Sequence, residues 1–131
     1  GGWVADQLHE RRGGKPGSVL VLGLTFKEDV PDLRNSRVID VIERLQSLGH
    51  DVHVHDPLAD REEARSEYGV ELETGTPTGR HDIVFAAVPH KLYRDMPDAA
   101  IALLVNEGGL VADLKGIWRT SELGDLARWT L

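Results

Sequence analysis

The chain has 131 residues, 40% hydrophobic and 28% charged, with a formal net charge of −7 and no cysteine. That is enough for one globular domain with a real core, and it excludes disulfides, thiolate metal sites and a cysteine nucleophile within this sequence. The acidic balance argues against non-specific nucleic-acid binding, which rests on neutralising phosphates. No apolar run nears the roughly 20 residues of a membrane span and no signal peptide is visible, so the expected compartment is the cytoplasm.

Trp3, Val4, Gln7 and Leu8 recur at helical spacing before Gly13-Gly14-Lys15-Pro16-Gly17, which predicts a short helix over 3–11 and a linker. Val19 to Gly23 is an apolar run and reads as the first strand. A long charged loop with Lys27 and Arg34 follows, and Asn35-Ser36 open an amphipathic helix. Its Val38, Val41, Ile42, Leu45 and Leu48 share a face, with Gly49 as the left-handed stop. Asp51 to Asp56 is a second strand closed by Pro57. Residues 59–68 predict an acidic helix, 70–74 an edge strand and 82–88 a buried strand. Two short helices come next, with Pro97 at the first position of the second. Gly108-Gly109 resets the chain before a strand over 110–114, a helical turn over 119–124 and a last strand over 127–131. This alternation implies an α/β fold: a Rossmann-like three-layer domain with a mainly parallel sheet of about six strands.

Such a sheet binds ligands beyond the C-terminal ends of its strands. Lys27, Asp56, Pro89-His90 and Lys115 all follow strands and should lie along that edge. A strand, a cationic loop and a helix N-terminus together favour an anion such as a diphosphate. The fingerprint G-x-G-x-x-G is absent, since Gly23 stands alone; phosphate should therefore be held by side chains more than by close backbone approach. Read alone, Lys27 and Arg34 are two solvated loop cations, and Lys115 is equally a strand-end lysine in water. Asp56 occupies the place of a ribose-binding acid, but without the glycines it reads as a structural Asp-Pro turn and a cap of the next helix. His53 and His55 share a strand face; with no third ligand recognisable they read as packing under a helix, and no metal site is expected. His90 reads as a helix-capping or surface residue, and Trp118 as a core anchor or a base-stacking platform.

Three segments carry a resemblance: Phe26-Lys27-Glu28-Asp29 with Asp32-Leu33-Arg34-Asn35-Ser36, Gly49-His50-Asp51-Val52 with His55-Asp56-Pro57, and Asp113-Leu114-Lys115-Gly116-Ile117-Trp118. Together they resemble the C-terminal, UDP-binding domain of the UDP-glucose/GDP-mannose dehydrogenase family over nearly the whole chain. The Asp-x-Lys-Gly-Ile-Trp form looks closest to the branch acting on UDP-N-acetylated hexosamines such as UDP-N-acetyl-D-mannosamine. The resemblance implies that residues 1–17 are a helix and linker from a preceding region, and that 18–131 are the nucleotide-sugar-binding domain. It implies that Phe26, Lys27 and Lys115 contact a UDP-sugar substrate, with Arg119 a spare for the second basic position, and that Arg34 contacts NAD. The full-length family enzyme oxidises C6 of the sugar to a carboxylate with two NAD. It carries its cysteine nucleophile and its NAD fingerprint in other domains and dimerises through a central helical region. This fragment would then have no catalytic residue of its own. The rival readings are a free-standing nucleotide-binding or regulatory module, and a small oxidoreductase with a complete dinucleotide fold.

Overall fold

In the computed structural model, which describes residues 2–130, six strands form one all-parallel sheet. The strands are β1 (Ser18–Leu22), β2 (Asp51–His55), β3 (Leu72–Glu73), β4 (His81–Ala86), β5 (Val105–Asp113) and β6 (Ala127–Thr130), in the order β3-β2-β1-β4-β5-β6. The helices are α1 (Gly2–Arg11), α2 (Val38–Ser47), α3 (Arg61–Tyr68), α4 (Lys91–Arg94) and α5 (Asp98–Leu103). Because side chains alternate across a strand, Val19 and Val21 of β1 enter one core and Leu20 and Leu22 the other. The first core holds Ala5 and Leu8 of α1, Ile42 and Leu45 of α2 and Ala64 of α3. The second holds Tyr93 of α4, Ile101 of α5 and Trp118. The three-layer α/β fold read from the sequence is the fold observed.

Several boundaries move for identifiable reasons. α2 begins at Val38 rather than at Asn35, because Asn35 adopts a left-handed φ of 60° and Ser36 turns its hydroxyl onto the Leu24 carbonyl at 2.6 Å. α3 begins at Arg61 with Asp60 as its cap: one Asp60 carboxylate oxygen accepts from the Glu62 amide at 2.8 Å and the Glu63 amide at 3.3 Å. The expected cap, Asp56, is used elsewhere. Gly69 ends α3 at φ 67°. Asp60→Ala should lower stability by about 1 kcal/mol, read as a shifted urea midpoint; an unmoved midpoint would mean the cap contributes nothing. Pro97 stands one residue before α5, and β5 starts at Val105, five residues ahead of the expected strand.

Candidate functional site

β1 lies between β2 and β4, where the strand order turns back on itself, and residues 23–37 leave its C-terminal end there. This crevice is where open α/β sheets take ligands. A groove of about 330 Å³ runs along it. Its apolar lining comes from Val4 of α1, Val38 and Val41 of α2, Phe85 and Val88 at the end of β4, and Leu114 after β5. Lys27, Arg37 and Lys115 line the same groove, beside Phe26, which is 51% exposed. Among the described residues none of these three cations has a carboxylate within 4.0 Å. Glu28 is the one acid in the lining. Three unpaired cations against one acid, beside an apolar lining, suit a ligand with a flat apolar part and a negatively charged part.

The structure thus brings Phe26, Lys27 and Lys115 together and adds Arg37, which sequence reasoning passes over because a lone arginine ahead of a helix carries no motif. Arg34 is not in this group. It lines a separate hollow with Leu33, Asn35, Glu63, Glu67 and Tyr68. Its guanidinium grips the Asp32 carboxylate with two bonds, of 3.0 and 3.2 Å, and holds that carboxyl below its usual range.

The turn after β1 is built around Asp56, which is fully buried. One carboxylate oxygen accepts from the amides of Leu24 at 2.8 Å and Thr25 at 3.1 Å and from His90 Nε2 at 3.0 Å; the other accepts from the Leu58 amide at 2.9 Å. Burial alone would push this carboxyl up, but the bonds from His90, Leu24 and Leu58 outweigh it and hold it below the usual carboxylate range. In a dinucleotide fold the turn after the first strand faces the pyrophosphate, and the acid ending the second strand faces a ribose. Here two amides of that turn and the acid are bonded to each other. This arrangement differs from a dinucleotide-binding turn, whose amides face the pyrophosphate. The Asp56-Pro57 turn is structural, as expected, but Asp56 caps the turn after β1 and not α3.

His90 does occupy the N-cap position of α4, with its backbone and not its side chain, but it is not a surface residue: it is fully buried beside Asp56. β2 and β4 flank β1, so residues just beyond their ends must straddle the loop leaving β1.

Asp113, at the end of β5, explains the form of the Asp-x-Lys-Gly-Ile-Trp segment. Its two carboxylate oxygens accept from the amides of Ile117 at 2.9 Å and Trp118 at 2.7 Å, and Gly116 turns the chain at φ 69°. This tight turn leaves Lys115 exposed at the groove. Trp118 is a core anchor: it is buried and donates from Nε1 to the Tyr93 carbonyl at 2.8 Å. His55 packs under α4 against Tyr93, whereas His53 is only half-buried between Asp51 and Glu73. No metal-binding cluster exists among the described residues.

A sequence model described as "UDP-glucose/GDP-mannose dehydrogenase family, UDP binding domain" matches residues 20–120. The chain belongs to this family. Its UDP binding domain therefore includes every groove residue named above except Val4. Protein CapL of Staphylococcus aureus is 44% identical over 115 residues, which are 87% of this chain and 27% of CapL. A UDP-N-acetyl-D-glucosamine 6-dehydrogenase of Salmonella typhi is 38% identical over 98 residues, 75% of this chain and 23% of that protein. The chain thus spans about a quarter of the length of these curated relatives. The solved UDP-N-acetyl-mannosamine dehydrogenase Cap5O of Staphylococcus aureus superposes with a TM-score of 0.76 at 21% identity, over 98% of this chain and 29% of that one. That likeness establishes the fold.

Proposed function

We propose that this domain holds the UDP part of a UDP-sugar within an NAD-dependent UDP-sugar 6-dehydrogenase. The enzyme would take a UDP-N-acetylhexosamine, or a UDP-hexose, to the corresponding uronic acid. The observation that carries the reading is the convergence of Lys27, Arg37 and Lys115 beside an apolar lining, in a chain of this family. The nucleobase would lie on Val38, Val41 and Leu114, and the diphosphate would meet the cations. Phe26 would pack against the substrate from the loop. The relatives' names favour the N-acetylated branch.

The overall oxidation converts a C6 alcohol and water into a carboxylate. Two hydrides pass to two NAD, and protons are released to solvent. This chain has no cysteine, so its share is to bind and orient. NAD would be carried mainly by another domain. Arg34 would reach it by exchanging its grip on Asp32 for an anionic group of NAD, a role that its exposure and planar fork suit. The other domains and the dimeric parent remain parts of this proposal.

UDP titration of this chain, followed by amide chemical shifts, tests the reading. Binding near the millimolar range, about 4 kcal/mol, is expected, and it should weaken with salt. Shifts should cluster on residues 24–37 and 113–119. Lys27→Ala should cost about 1.5–3 kcal/mol, the worth of one charge-assisted contact. Shifts confined to the N-terminal edge of the sheet, or full affinity in the variant, would refute the placement.

A further inference from the structure

Phe26 and Lys27 stand on a stretch with no helix or strand of its own between Leu22 and Val38. Ordering such a stretch carries a large entropic cost, so the direction of Lys27 must be set by something outside it. One buried imidazole meets the stretch on both sides of Lys27. His90, 0% exposed, accepts the Asp29 amide proton at Nδ1 across 2.9 Å. Its Nε2 lies 3.0 Å from Asp56 Oδ2 and 3.2 Å from Thr25 Oγ1. Thr25, itself buried, donates its hydroxyl to the carbonyl of Lys27 at 2.9 Å. Accepting an amide at Nδ1 fixes the neutral tautomer, with the proton on Nε2 directed at Asp56. The bend after Lys27 is left-handed at a non-glycine residue, Asp29, with φ 61°. Such a conformation persists only where the surroundings over-determine it. The surroundings here are His90 and its neighbours: the Lys91 amide donates to Asp29 Oδ1 at 2.7 Å, and Arg94 meets Oδ2 at 3.4 Å.

We propose that His90 is a positioning residue for Lys27: from the end of β4 it sets the loop so that the lysine faces the diphosphate, without itself touching the ligand. This rests on the reading of Lys27 as a diphosphate contact. His90→Phe keeps the bulk of the ring but removes both nitrogens. It should weaken UDP binding about tenfold, roughly what losing one charge-assisted contact does. A general loss of structure would not be specific to Lys27, so the decisive readout is a double-mutant cycle. His90→Phe combined with Lys27→Ala should bind no worse than either alone, whereas His90→Phe with Lys115→Ala should be additive. Additive loss with Lys27→Ala, or undiminished binding in His90→Phe, overturns the proposal. Should His90→Phe fail to fold, Thr25→Val cuts the link from ring to lysine carbonyl while keeping its shape, and the same cycle is read on that variant. Should the unsubstituted chain bind no UDP, the functional reading fails. The positioning role is then decided by amide hydrogen exchange in the same variant. Faster exchange at residues 27–29, with the strands unchanged, supports it, and unchanged exchange there overturns it.

Discussion

Asp56→Ala should be among the most damaging single substitutions in the domain, lowering unfolding free energy by about 3–5 kcal/mol, since each buried donor left without an acceptor costs about 1–3 kcal/mol. Four donors lose their acceptor at once: the amides of Leu24, Thr25 and Leu58, and His90 Nε2. The Leu24 and Thr25 amides and His90 cannot turn to water without opening the turn after β1, because Leu24, Thr25, Asp56 and His90 are all buried. Asp56→Asn should cost less. Its carbonyl oxygen can take the place of the carboxylate oxygen that serves three donors, leaving only the Leu58 amide opposed. The two variants separate charge from shape. The folded-state pKa of Asp56 is depressed, so its ionised form contributes stability fully above the unfolded value of about 4. That contribution is lost as pH falls further, through the folded value. Other carboxylates titrate in the same range, but the side-chain amide introduced by Asp56→Asn does not titrate. The stability gap between the native chain and Asp56→Asn should therefore narrow as pH falls below about 4. Urea unfolding at a series of pH values measures it. A gap that stays constant would mean the carboxylate owes nothing to its ionisation.

Gly23→Ala should be nearly as costly, for a steric reason. Gly23 follows β1 at φ 102°, and a methyl there would lie 2.5 Å from Val88 Cβ and 2.9 Å from the Val88 nitrogen. The backbone conformation costs a non-glycine residue roughly 1–2 kcal/mol and overpacking about 1–3 more, so the expected loss is about 2–5 kcal/mol. Neither neighbour can yield easily, since Val88 follows β4 in the core and its amide bonds to the Leu22 carbonyl at 3.2 Å. Gly69→Ala is the control: φ is 67°, but nothing lies within 4 Å of the added methyl. It should lose only the conformational part. Equal thermal shifts for the two substitutions would show that crowding at Val88 contributes nothing.

The parts of the fold legible in the sequence are those whose burial leaves a periodic trace. The apolar runs around Val19–Leu22 and Ile83–Ala86 read as strands because both faces are covered. The spacing of Val38, Val41, Ile42 and Leu45 reads as α2 because one face is covered. What was hidden depends on partners distant in the chain. Asn106-Glu107-Gly108-Gly109 looks like a break, yet it lies inside β5, in a shift of register where the six residues Val105 to Leu110 answer the three residues His81 to Ile83. Glycine there marks a bulge, not an end. The groove itself was half legible. Phe26, Lys27, Asp113 and Lys115 stand in motifs, while Arg37 and His90 matter only through where the chain brings them. Polar residues give no sign in a sequence of whether water or a carboxylate will meet them, and Asp56 and His90 are 34 positions apart.

The place of β1 in the sheet also bears on how the domain comes into being. β1 is flanked by β2 on one side and β4 on the other. As a ribosome releases the chain, β2 and α2 soon follow and can cover one side, but β4 does not emerge until residue 81 and beyond. Throughout that interval the inner edge of Val19–Leu22 has no partner strand, and Leu20 and Leu22 lack Tyr93, Ile101 and Trp118, which later bury them. An apolar strand with an open edge is the kind of surface on which unfinished chains associate. No hairpin can shelter it, because every strand pair in this sheet is parallel. The crevice beside β1 in the finished protein is thus also the seam along which its two halves must wait for each other.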